Sequence, residues 1–208
     1  MFTYMVENAD QMLLLTKDHL YMTAVSVALA ILIAVPSGIL ATRGRRVSFW
    51  VISAGNLGQT VPSLALLGLL MPVFGIGLPV AIAALTIRAI LPILINTCAG
   101  ISGVDRAVIE AARGMGMSSR QILTHIQLPL ALPLILAGIR TATAHCVSIA
   151  TMAAFVGAGG LGELIFQGVW SGRAVYLLAG AVPAAVLAIG LDWLLGRAQL
   201  RLTARTAG

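Results

Sequence analysis

The sequence predicts an all-α integral membrane fold of five transmembrane helices around one polar loop, and three observations carry that expectation. Hydrophobic residues make up 59% of the 208 positions, only 10% are charged, and the mean hydropathy is +1.00. Water cannot be the solvent for most of such a surface. Five apolar stretches reach the roughly 20 residues that a helix needs to cross about 30 Å of hydrocarbon. The arginines gather at Arg43, Arg45 and Arg46, at Arg106, Arg113 and Arg120, and at Arg197, Arg201 and Arg205, while Lys17 is the only lysine. Clusters of basic residues at loop and tail positions are a topological signal, so the net charge of +6 points to a membrane orientation and not to nucleic acid.

Each element follows in order. The N-terminal segment carries Glu7 and Asp10 where a signal peptide would be basic, so it is expected to stay and to lie across the outer face. The first span is predicted over residues 20–41, closed by Thr42-Arg43-Gly44-Arg45-Arg46. Residues 47–87 hold no charge and are too long for one helix; the turn at Gly75 to Pro79 divides them into spans at 49–72 and 78–100. Further spans are expected at 130–156 and 174–195, with a cytoplasmic loop at 103–129. Placing the arginine clusters inside puts the N-terminus out and the C-terminus in, with every span alternating. Residues 1–208 then form a single transmembrane domain. Cys98 and Cys146 fall in apolar stretches and are expected to be packing residues.

The loop is the polar exception. Asp105 can cap a helix beginning at Arg106, and Gly116 can end it in the left-handed conformation. Ser118 and Gln121 have capping-box spacing for a second helix, Met117 and Ile122 have staple spacing, and Pro129 is expected to stop that helix before the next span. A DNA-binding helix-turn-helix shares this pattern, but the loop leaves no room for the rest of such a domain. A lipid-facing connector and a protein-docking element remain. Glu110 beside the small Ala111 and Ala112 suits docking, since small residues let another backbone approach.

The residues also carry a resemblance. Glu110-Ala111-Ala112, three residues, Gly116, nine residues, then Ile126-x-Leu128-Pro129 resembles the EAA loop of permeases from bacterial binding-protein-dependent ABC importers. Gln59 to Gly77, Gly103 to Leu123, Ala137 to Thr143 and Gly157 to Gly168 look like the osmoprotectant branch, whose permeases carry glycine betaine, carnitine or choline. The resemblance implies the five-helix type I importer fold in the bacterial inner membrane. It also implies pairing with a second permease, identical or paralogous, and an EAA loop held by a cytoplasmic ATPase dimer. Glu110, Ala111, Ala112, Gly116, Met117, Ser118, Ile126, Leu128 and Pro129 are the implied docking residues. A methionine-type permease is the rival within the class.

No Gly-x-x-x-x-Gly-Lys-[Ser/Thr] segment occurs, so ATP and magnesium are expected on a separate chain, with no cofactor or catalytic residue in this one. Three tryptophans, three tyrosines and five phenylalanines are few for a quaternary-ammonium cage, which assigns solute capture to an extracytoplasmic binding protein. Candidate pathway residues are Asn56, Gln59, Thr60 and Ser63 on the second span, and Thr141, His145 and Ser148, at i, i+4 and i+7 on the fourth. Either they line a pathway or their groups bond their own helix or a neighbour. Arg88, near the middle of the third span, is expected to face the interior or the pathway. A secondary transporter would need ion-coordinating acids in the spans, and only Asp192 qualifies.

Overall fold

Inside hydrocarbon a spanning segment has to close its own backbone hydrogen bonds, and the chain does so by helix alone. The computed structural model describes residues 2–206; Met1, Ala207 and Gly208 of the predicted domain lie outside the described residues. The helices are α1 (Phe2–Glu7), α2 (Ala9–Ala41), α3 (Arg45–Thr60), α4 (Ser63–Phe74), α5 (Leu78–Ser102), α6 (Arg106–Gly114), α7 (Ser119–Ile122), α8 (Leu128–Ala150), α9 (Gly162–Ser171) and α10 (Ala174–Thr206). A π-helical turn at Leu123–Gln127 joins α7 to α8, and a 3₁₀ stretch at Thr151–Val156 follows α8. Among the described residues there is no strand.

Four of these helical runs are long and apolar enough to cross a membrane, namely α2, α5, the run from Ser119 to Val156, and α10. The pair α3 and α4 is long and apolar enough for a fifth crossing only when taken together, and it is bent by 101°. That bend corrects the single span expected at 49–72. Val61, which precedes Pro62, is extended at φ −72° and ψ 127°, as the proline ring forces on its predecessor.

Two spans are longer than expected. Helix α2 starts at Ala9, so the segment expected across the outer face is its first third. No glycine or proline interrupts residues 9–35, and Met12 and Leu15 pack against Leu161, Leu164 and Ala179 of the opposite wall. Its 33 residues span about 50 Å at 1.5 Å per residue, well beyond the hydrocarbon. Helix α10 likewise runs on to Thr206, because arginine is a good helix former and nothing stops it.

Helix α5 is the centre of the bundle, with Ala81, Ala84, Leu85, Ala89, Ile93 and Leu94 buried against α2, α4 and α8. Close approach needs small residues. A Cβ on Gly138 of α8 would stand 2.7 Å from Asn96 Cβ and 2.9 Å from Pro92 O of α5, so only glycine fits that crossing. At the far side Arg140 of α8 donates through Nε and Nη2 to both carboxylate oxygens of Asp192 of α10, at 2.5 and 2.6 Å. Asp192 is thereby engaged by the bundle itself.

Candidate functional sites: a capped loop and a broken helix

The loop is built from local hydrogen bonds. Asp105 Oδ1 accepts from the Ala107 N–H at 2.9 Å and starts α6. At its end Gly116 takes φ +81°, its N–H donates to Arg113 O at 2.9 Å, and the Met117 N–H donates to Ala112 O at 3.1 Å. That pair of bonds is a Schellman motif, which satisfies the carbonyls a helix end leaves free. The next helix opens with a reciprocal capping box: the Ser118 N–H donates to Gln121 Oε1 at 2.8 Å, and Ser118 Oγ accepts from the Gln121 N–H at 3.4 Å. Ile122 of the staple is buried.

Pro129 does not stop this helix. It has no N–H for the carbonyl four residues back, and its ring would strike that carbonyl in a regular α-turn. The chain widens instead, and the Leu128 N–H reaches Leu123 O across the π-helical turn. The loop is therefore continuous with the fourth span.

The implied docking residues divide into two sets. Glu110, Ala111, Gly116 and Ser118 are exposed, Met117 is half-buried, and Glu110 holds Arg106 at 3.1 Å on the outward face of α6. Ala112 is only 1% exposed, buried on the inner side of α6. Ile126, Leu128 and Pro129 are half-buried on the way into α8, where Leu128 packs on the Ile101, Ala131 and Ile135 cluster; these three position the loop. Between the loop and the ends of α2 and α5 lies a cavity of about 900 Å³ lined in part by Arg43, Arg113 and Arg120.

The second site is the break between α3 and α4. Arg88, on α5, is 9% exposed and points into it. Its Nη1 donates to Gln59 O at 3.0 Å and Gln59 Oε1 at 3.4 Å, and its Nη2 to Val61 O and, at 3.1 Å, to Ser63 Oγ. In return Gln59 Nε2 donates to Arg88 O at 2.7 Å. The guanidinium takes up carbonyls that the ending of α3 sets free, at the negative end of that helix. Gln59 and Ser63 are thus gathered around Arg88, while Asn56 and Thr60 are exposed one turn apart on α3. Thr141, His145 and Ser148 share an exposed face of α8, and Thr141 donates to Ala137 O of its own helix at 3.0 Å. No hydrogen bond among the described residues joins that face to the break. The sequence reading missed the break, although Val61-Pro62 inside an uncharged span was its available signal.

An all-helical bundle of four crossing helices and one broken helix pair packed on α5, with a capped loop at one end, defines a membrane permease of the type I importer fold. The family described as "Binding-protein-dependent transport system inner membrane component" matches residues 26–204. The chain belongs to that family, and so is a non-catalytic, multi-pass component of the inner membrane that works with a separate ATPase and a binding protein. It is 43% identical over 97% of its length, and 92% of the relative, to a carnitine transport permease protein OpuCB of Listeria monocytogenes. It is 40% identical over 98% of its length, and 94% of the relative, to a glycine betaine/carnitine/choline transport system permease protein OpuCB of Bacillus subtilis. An osmoprotectant import permease protein OsmW of Salmonella typhimurium is 42% identical over 96% of the chain and 95% of the relative. Among solved structures, the inward-facing MetNI methionine ABC transporter superposes with a TM-score of 0.85 at 26% identity, covering 92% of this chain and 96% of that one.

Proposed function

We propose that this chain forms the translocation pathway of an ATP-driven importer for osmoprotectants that bear a quaternary ammonium, such as glycine betaine, carnitine or choline. The observation that carries the reading is full-length identity of about 40% to permeases named for those solutes, against 26% to the methionine permease. In this reading the N-terminus lies outside and the loop inside. The exposed face of α6 with Glu110 and Ala111 meets a cytoplasmic ATPase dimer that holds ATP and magnesium, and a second permease, identical or paralogous, completes the pathway. An extracytoplasmic binding protein delivers the solute, and lipid surrounds the rest. A secondary transporter is disfavoured because Asp192 is occupied by Arg140.

The test is uptake by proteoliposomes carrying the assembled complex, with glycine betaine, choline, carnitine and methionine offered separately. ATP-dependent uptake of at least one quaternary-ammonium solute, with methionine at background, is the expected result. Methionine as the sole solute carried would transfer the chain to the rival class.

A further inference from the structure

We infer that the break between α3 and α4 is a carboxylate subsite, through which Arg88 makes the permease distinguish zwitterionic solutes from purely cationic ones. The inference rests on the osmoprotectant reading above and adds a specificity-determining site to it.

Charge is the first argument. Arg88 is nine-tenths buried at mid-span, yet among the described residues no carboxylate pairs with it; both ion pairs lie elsewhere, at Arg106 with Glu110 and Arg140 with Asp192. Carbonyl dipoles hold the guanidinium in place but leave its full positive charge in a low-dielectric setting, which an anion would relieve. Unused donors are the second argument. Arg88 Nε is buried without a hydrogen-bond partner. Across the break α4 begins at Ser63 with no side-chain cap, since its N-cap residue is Pro62. The first intrahelical bond there runs from the Leu66 N–H to Pro62 O, so the N–H groups of Ser63, Leu64 and Ala65 are left over. A 12-residue helix turns the positive end of its dipole toward the same place.

Access is the third. Thr60, Pro62, Leu64 and Ala65 are exposed, so one side of the break is open, and Asn56 stands exposed a turn below Thr60. A carboxylate entering from that side meets the leftover N–H groups first and then the guanidinium fork, which can exchange Gln59 and Val61 carbonyls for carboxylate oxygens. Half-helix ends at mid-membrane serve anionic groups of substrates by the same physics. Glycine betaine and carnitine carry such a carboxylate; choline carries a hydroxyl and no negative charge.

The experiment compares glycine betaine with choline in proteoliposomes of the complete importer, with the binding protein saturated, for the parent, Arg88→Gln, Asn56→Leu and Ser63→Ala. Loss of a charge-assisted bond lowers the ratio of glycine betaine to choline uptake about tenfold in Arg88→Gln. The two milder variants shift the ratio in the same direction and keep the test decisive if Arg88→Gln does not assemble. An equal loss of both solutes in every variant that assembles would make Arg88 a helix cap only and overturn the subsite. A parent that carries both solutes with a ratio unmoved by any variant overturns the subsite and spares the osmoprotectant reading, whereas a parent that carries neither overturns both.

Discussion

An arginine at mid-membrane costs about 2.5–3.5 kcal/mol on insertion scales, and Arg88 is tolerated because a broken helix gives it acceptors that an intact helix would have used internally. Glycine solves the opposite problem at Gly138, where a missing side chain lets α8 settle on α5. Gly138→Leu puts a Cβ inside the contact distance of Pro92 O and Asn96, and overpacking of this kind costs about 1–3 kcal/mol. A lower midpoint in thermal unfolding of the detergent-purified protein is the expected result, and an unchanged midpoint would show that the two helices part freely. Gly116→Val strains a backbone held at φ +81°, a cost of roughly 1 kcal/mol or more, but its surroundings are open. It is expected to leave the folded bundle in place and misdirect the second loop helix, read as lost uptake at near-parental thermal stability. The mid-span depth of Arg88 was legible from hydropathy alone. Its partners were not, because they are main-chain and side-chain oxygens around a helix end that lies 25 to 29 residues away in the chain.

At the scale of elements, the features that read well are those whose causes lie within a few residues. The Asp105 cap, the Gly116 turn and the box of Ser118 with Gln121 each need only side chains and backbone in one turn, and each stands where the residue types put it. Some helix ends in the apolar runs read poorly, because hydropathy marks where lipid begins and not where a helix stops: α2 begins before its expected start and α10 continues past its expected end, while the end of α2 and the start of α10 fall where expected. Pro129 was misread as a stop for a related reason, since a π-helical turn absorbs a proline without ending the helix. Pro62 sits differently, after an extended residue and at the head of α4. Pro62→Ala restores an N–H and removes the restriction on Val61, so α3 and α4 are expected to straighten partly. Spin labels at Val47 and Val73, both on exposed positions, should then lie farther apart. An unchanged distance would assign the bend to Arg88 instead.

Across the whole molecule, charge is sorted by position: Arg43 of the α2 to α3 turn and Arg113 and Arg120 of the loop line one cavity, while Asp105 caps a helix and Glu110 and Asp192 are paired. Such sorting gives the loop an outward face that is free to meet a partner, and it makes the loop's role separable from its stability. Glu110 pairs with Arg106 at i, i+4, with both side chains mostly in solvent. Glu110→Lys turns that attraction into repulsion between neighbours on an exposed helix, an effect of a few tenths of a kcal/mol. That is far too little to unfold α6, which is held by the Asp105 cap and the Schellman bonds at its ends. A strong functional defect in Glu110→Lys therefore reports a lost intermolecular contact, where a charge-assisted bond counts for more than the exposed pair does. The expected outcome is an inserted permease of parental thermal stability with at least about tenfold less uptake and less co-purifying ATPase, the solute-stimulated hydrolysis of ATP falling in step. If Glu110→Lys retains the ATPase and transports like the parent in lipid, the outward face of α6 is a surface connector, and coupling has to run through the buried run from Leu123 into α8.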